Sequence, residues 1–186
     1  VVSATGTPTP AREVASSVTV ITADQIQREQ RRTLPEALAA VPGLNIVQIG
    51  GPGGQTSVFM RGTNSNHVKV LIDGIEANDP STPNRSFDFG SMLTDDVERI
   101  EVLRGPQSGL YGANAIGGVI SIVTRRGEGP PKATARVEAG SHGTFNQAAG
   151  FSGGDDRFNY AFNVSHMRSD STDSVPPNLI PPGVRV

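Results

Sequence analysis

The chain contains no cysteine. Disulfides, thiol nucleophiles and cysteine-ligated zinc are therefore excluded together. The compartment stays open, because a protein exposed to periplasmic oxidants can simply avoid thiols. No apolar run approaches the roughly 20 residues that a membrane helix needs, so any membrane insertion must use β-strands. An excess of one charge is also missing. The formal net charge is −2 over 186 residues, which gives no reason to expect nucleic acid or an acidic membrane surface as partner. The given sequence opens at Val1-Val2 without a signal-peptide pattern, and a mature or trimmed start is expected.

Glycine and proline are plentiful, with 22 and 14 residues. That composition fits a loop-rich, strand-bearing fold better than a helical bundle. Residues 1–10 are small, polar and proline-bearing, and read as an extended, mobile arm. Val18-Thr19-Val20-Ile21 is a short β-branched strand. Thr22 and Gln25 then stand in capping-box spacing before Ile26, and Thr33 and Glu36 repeat that spacing around Pro35. Val41-Pro42-Gly43 stops the second helix. Strands are expected over 44–49, 57–61, 68–72, 97–103 and 119–124, with a tight turn at Asp73-Gly74. Residues 87–93 read as a short helix or an apolar clamp. Gly112 to Gly118 reads as a site of tight backbone packing.

Composition shifts at 125–131, and beyond it the pattern becomes strictly period two. Ala133, Ala135, Val137 and Ala139 share one face; Phe145, Gln147, Ala149 and Phe151 share another; Phe158, Tyr160, Phe162 and Val164 a third. Segments of about ten residues with one apolar face suit a membrane β-barrel, and equally the half-buried strands of a soluble sheet. Residues 175–186 carry four prolines and read as a loop or an end.

Enzyme chemistry finds little support. His67, His142 and His166 are far apart and lack metal-ligand spacing. The glycine runs at 50–54 and 112–118 lack the lysine of a phosphate-cradling loop. Asp95-Asp96 reads as a turn. Asp170 and Asp173 could supply oxygen ligands to calcium, though a hydrophilic hairpin loop explains them as well. Arg61 and Arg104 each end an expected strand before a glycine, and Glu98 and Glu101 lie near the second. These four are either surface salt bridges or guanidinium–carboxylate matches in a partly desolvated interface.

Four stretches carry a family resemblance. Residues 97–124, with Val97-Glu98-Arg99-Ile100-Glu101-Val102-Leu103-Arg104-Gly105-Pro106 and a glycine-rich bend before the next strand, resemble the C-terminal signature of the plug of TonB-dependent outer-membrane transporters. Residues 59–74, from Phe59-Met60-Arg61-Gly62-Thr63-Asn64 to Leu71-Ile72-Asp73-Gly74, resemble the plug's central strand-loop-strand. Thr33 to Leu44 resembles its early helix, and Val1-Val2-Ser3-Ala4-Thr5 the end of a Ton box. The Arg-Gly-Thr-Asn-x-x-His-Val pattern is most similar to vitamin B12 transporters.

The resemblance implies an α+β plug domain, a small mixed sheet with short helices, over residues 11–128. The arm at 1–10 precedes it, and the first antiparallel strands of a transmembrane β-barrel follow over 129–186. It implies no enzyme and no cofactor, but a gate for a scarce nutrient in the bacterial outer membrane. That nutrient would be cobalamin, or an iron-siderophore or haem. Val1, Val2, Ser3 and Ala4 would bind a TonB-type inner-membrane energy transducer by strand addition. Gly51, Gly53, Gln55, Thr56, Asn78, Asp79, Asn84 and Arg85 would face substrate. Arg61, Glu98, Glu101 and Arg104 would form the plug–barrel interface, with outer-membrane lipids outside the barrel. A plugged barrel has about 22 strands, so a truncated chain is expected. Two alternatives remain: a soluble plug-like periplasmic binding module, and an enzyme using Asp73, His67 and Glu101.

Overall fold

The computed structural model describes residues 2, 6, 9–10, 17–50, 53–155 and 157–170. Strand β1 (Ser17–Thr22) leads into helices α1 (Ala23–Arg28) and α2 (Leu34–Leu38). Strands β2 (Leu44–Gln48), β3 (Thr56–Met60), β4 (Val68–Ile72), β5 (Ile75–Glu76) and β6 (Val97–Arg104) follow. Helix α3 (Ser108–Tyr111), β7 (Gly118–Thr124), β8 (Lys132–Ala139), β9 (Phe145–Gly154) and β10 (Asn159–Arg168) complete the order.

Local chemistry sets the early elements. The Thr22 hydroxyl accepts the Gln25 N–H at 3.3 Å, satisfying one of the free donors at the start of α1. The Glu36 carboxylate folds back to take the N–H groups of Arg32 (2.7 Å) and Thr33 (3.2 Å). Asp73 and Gly74 both have positive φ, 49° and 84°, and Ile72 pairs with Ile75 across them. This is the two-residue hairpin geometry that Asp-Gly favours. The Asp73 carboxylate then holds the end of β7, taking the Thr124 N–H (2.9 Å) and hydroxyl (2.6 Å).

Five strands form one sheet in the order β1-β6-β7-β4-β5, antiparallel except for the parallel β4–β7 pair. Alternate residues of β4, β6 and β7 point to opposite faces, and each face has its own core. Val68, Val70, Ile100, Val102, Ile120 and Ile122 pack with Leu34, Leu38, Met60 and Phe89 from the helices, the β2–β3 ribbon and the 87–93 segment. On the other face Leu71, Leu103 and Val119 gather around Ala115 and Val2. The apolar-clamp alternative for 87–93 is the one the chain adopts: Phe87 and Phe89 meet edge to face, with ring centres 4.7 Å apart. Helix α3 was not anticipated by its glycine-rich sequence.

Strands β8, β9 and β10 form an antiparallel meander. Arg136, Glu138 and Asn146 point toward the five-stranded sheet and its helices, whereas Val137 and Phe162 on the far face are 69% and 65% exposed. Among the described residues no helix is long and apolar enough to cross a membrane, which says nothing of strands.

The close packing expected at 112–118 centres on Gly118. A Cβ there would overlap the Leu103 carbonyl oxygen and the Met60 sulfur, and its φ is +150°. Gly118→Ala is therefore expected to cost about 2–3 kcal/mol in chemical denaturation. Gly109→Ala, with open space around it, should be nearly neutral. Equal, small effects at both positions would refute this packing.

Candidate functional site

Gly53, Gln55, Asn84 and Arg85 are exposed on the loops expected to face substrate, and Gly51 lies outside the described residues. Two expectations for these loops need correction. Thr56 is fully buried: its N–H donates to Asp88 Oδ1 at 2.8 Å, its hydroxyl to the Gly54 carbonyl at 2.9 Å, and its carbonyl accepts the Phe89 N–H at 3.1 Å. Asn78 points inward, and its amide copies a neighbouring strand. Oδ1 accepts the Val70 N–H at 2.8 Å, and Nδ2 donates to the carbonyls of Val68 and Arg85, both at 3.1 Å. Asp79 commits one carboxylate oxygen, Oδ1, locally. It accepts the Ser81 N–H (2.8 Å) and hydroxyl (2.6 Å), and these two bonds hold its carboxyl below the usual range. Asp88 also takes the Gly90 N–H at 2.9 Å, so one carboxylate ties the two loops together.

The arm departs from the expectation of a free segment. Val2 is fully buried in the second core. Its N–H donates to the Thr9 carbonyl at 2.7 Å and the Thr9 N–H returns the bond at 2.9 Å. Val1, Ser3 and Ala4 lie outside the described residues.

The charged residues are also arranged differently. Glu101 is fully buried and receives Arg99 Nε at 2.8 Å; Arg99 Nη1 reaches Glu98 at 2.5 Å. Burial alone would lower the Arg99 pKa, but the hydrogen bonds and charges of the two carboxylates outweigh it and the net shift is upward. Glu101 is thus an internal residue of the five-stranded sheet and not the interface group expected, because it has no exposed surface. Arg104 turns away from both glutamates. Its Nη1 donates to the Pro42 carbonyl (2.6 Å) and its Nη2 to the Thr19 hydroxyl (2.9 Å), while Nε is buried with no partner among the described residues. Arg61 is exposed, has φ of +50°, and lays its guanidinium against Gly105. Sequence reasoning passed over Arg99, although Arg99 and Glu101, two residues apart on one strand, share a face.

A plug–sheet seam was also missed. Arg32 grips Glu138 of β8 with two prongs, Nε to Oε2 at 2.6 Å and Nη2 to Oε1. Arg136 of the same strand pairs with Asp95, whose side chain is only 4% exposed. Asp95 is therefore not merely a turn residue. No local signal could have revealed a pair 106 positions apart.

His67, His142 and His166 do not converge, and among the described residues no three His, Asp or Glu side chains are grouped to hold a metal ion. Asp170 N–H donates to the His142 carbonyl at 2.9 Å; Asp173 lies outside the described residues.

Comparison with known proteins agrees with this geometry. Residues 10–119 match the TonB-dependent Receptor Plug Domain family. Over 132 residues the chain is 39% identical to the vitamin B12 transporter BtuB of Vibrio vulnificus (strain CMCP6), covering 71% of this chain and 21% of that protein. The chain thus spans about a fifth of the length of this curated relative. Among solved structures, the ferric yersiniabactin uptake receptor FyuA of Yersinia pestis matches at TM-score 0.64 and 25% identity, covering 83% of this chain and 24% of its own. The copper transporter OprC matches at TM-score 0.67 and 21% identity, covering 84% of this chain and 24% of its own; at that identity the likeness concerns the fold alone.

The Arg99 pair can be checked directly. Glu101→Ala leaves a partly buried guanidinium short of its buried partner and is expected to cost about 3 kcal/mol. Glu98→Ala, at the half-exposed end of the same arginine, is expected to cost under about 1 kcal/mol. Denaturant titrations giving equal losses for the two would contradict the assignment.

Proposed function

Because the chain belongs to the family of TonB-dependent receptor plug domains, we propose that it is the gate of an energy-coupled outer-membrane transporter, with cobalamin as the nutrient. The observation that carries the gating reading is the stored arm. Val2 sits in an apolar hollow with its main chain closed on Thr9. A residue whose N–H and carbonyl are already bonded cannot offer them to the sheet edge of a partner. Release must break that pair and expose one valine, at about 2 kcal/mol. A ligand whose affinities for the closed and released states differ by that amount is enough to shift the balance.

In this reading substrate docks on Gly53, Gln55, Asp79, Asn84 and Arg85, and Asp88 couples the two loops that carry them. Val1, Val2, Ser3 and Ala4 then engage a TonB-type energy transducer of the inner membrane. Arg61, Glu98 and Arg104 seat the plug in its barrel. The exposed face of β8–β10, with Val137 and Phe162, meets outer-membrane lipid, which disfavours a soluble module. Cobalamin is favoured by the identity to BtuB and by the Arg61-Gly62-Thr63-Asn64-x-x-His67-Val68 pattern. An iron-siderophore is the second reading, supported by the likeness to FyuA; haem is the other nutrient class of the resemblance.

In a full-length transporter carrying this chain, removal of residues 1–5 is expected to abolish energised uptake and leave substrate binding intact. Uptake that survives the deletion would sink the gating reading. Equilibrium binding of labelled cobalamin, set against a ferric siderophore, separates the two substrate readings.

A further inference from the structure

The strap between α1 and α2 is heavily fastened. Leu34 N–H donates to the Met92 carbonyl (2.9 Å), Thr94 N–H to the Arg32 carbonyl (3.1 Å) and the Thr94 hydroxyl to the Arg31 carbonyl (2.8 Å). Arg31 Nη1 donates to the carbonyls of Glu36 (3.0 Å) and Ala37 (2.9 Å). From this strap Arg32 reaches Glu138, and Asp95, next to Thr94, takes Arg136. Arg136 Nε lies 3.6 Å from Glu138 Oε1. Four charges of alternating sign therefore form one series, Arg32–Glu138–Arg136–Asp95, whose two ends lie on the strap and its neighbour Asp95 and whose two middle members lie on β8. The two-pronged contact in it, Arg32 on Glu138, fixes geometry as well as charge. A second fastening lies where the chain leaves the plug. A Cβ on Gly127 would overlap the Tyr160 and Gly153 carbonyl oxygens, and Gly154 N–H donates to the Gly129 carbonyl at 2.9 Å.

N-terminal to the strap the attachments are different. Among the described residues, strand β1 is an edge strand bonded to β6 alone, in the register Ser17↔Arg104 to Thr22↔Arg99. Loss from its Ser17 end parts the pairs one after another. Ile21 and Ile26 are the large side chains that β1 and α1 bury deeply. When β1 leaves, β6 keeps β7 as its partner.

We propose that the Arg32–Glu138–Arg136–Asp95 series is a stop. Residues 17–28 detach as one unit, while the chain from Arg31 onward stays fixed to the β8–β10 sheet. This is a statement about local unfolding within this chain, and it holds or fails separately from the transport reading.

Amide hydrogen exchange on the whole chain in detergent tests it. In the unaltered chain the β1 and α1 amides should open together, about tenfold or more faster than those of β7, β8 and β9. Glu138→Gln removes the charge with little change of shape, and Arg32→Lys keeps a charge but loses the second prong. Each should speed exchange at Leu34, Thr94 and β8 by about tenfold and leave β1 at its own rate. Exchange of β1 and β8–β9 in a single common opening would overturn the proposal. So would Leu34 and Thr94 amides that neither variant moves. Should Glu138→Gln lose all protection, the unaltered chain and Arg32→Lys decide the matter alone.

Discussion

The central strand β7 has to start on a residue without a side chain. At Gly118 the Leu103 carbonyl and the Met60 sulfur occupy the space a Cβ would need. That contact lets β7 lie between β6, antiparallel, and β4, parallel, in one register. The parallel pair needs a long crossover, and residues 73–117 supply it, carrying the loops, the apolar clamp and β6. Both cores follow from the same placement, since β7 contributes Ile120 and Ile122 to one face and Val119 to the other.

The two faces differ in kind. The face toward the helices is almost wholly apolar, as suits a part that keeps its shape. The other combines a small apolar hollow with Glu101 and Arg99. Contacts toward β8–β10 are polar or glycine-based. Partly exposed ion pairs are modest in net energy because water compensates their loss. What such contacts supply is orientation: the two prongs of Arg32 on Glu138 set where β8 stands against the strap.

Much of the fold was legible because its signals are local. The Thr22 cap, the Pro35 helix, the Asp73-Gly74 turn and the period-two strands each depend on residues a few positions apart. The site was less legible. Thr56 and Asn78 look like ordinary loop polar residues, and only the return of the 77–90 segment turns them inward. Glu101 read as a partner for Arg104, yet strand alternation sends the two apart and gives Glu101 to Arg99. Arg32 with Glu138, and Asp95 with Arg136, are joined by tertiary structure alone. Val2 was expected to be free because its neighbours are polar, whereas a hollow formed by Leu71, Leu103, Ala115 and Val119 receives it.

Asn78 has a wider consequence. Strand β5 covers only the end of β4, and the Asn78 amide occupies the donor at Val70 and the acceptor at Val68 beyond it. One side chain thus serves as a counterfeit strand. An open sheet border is a template for pairing with other chains, and this one is blunted on the β4 side by a single residue. Among the described residues the β1 border has no such cover, so a plug lifted from its seat, or newly made and not yet housed, would carry its aggregation hazard there.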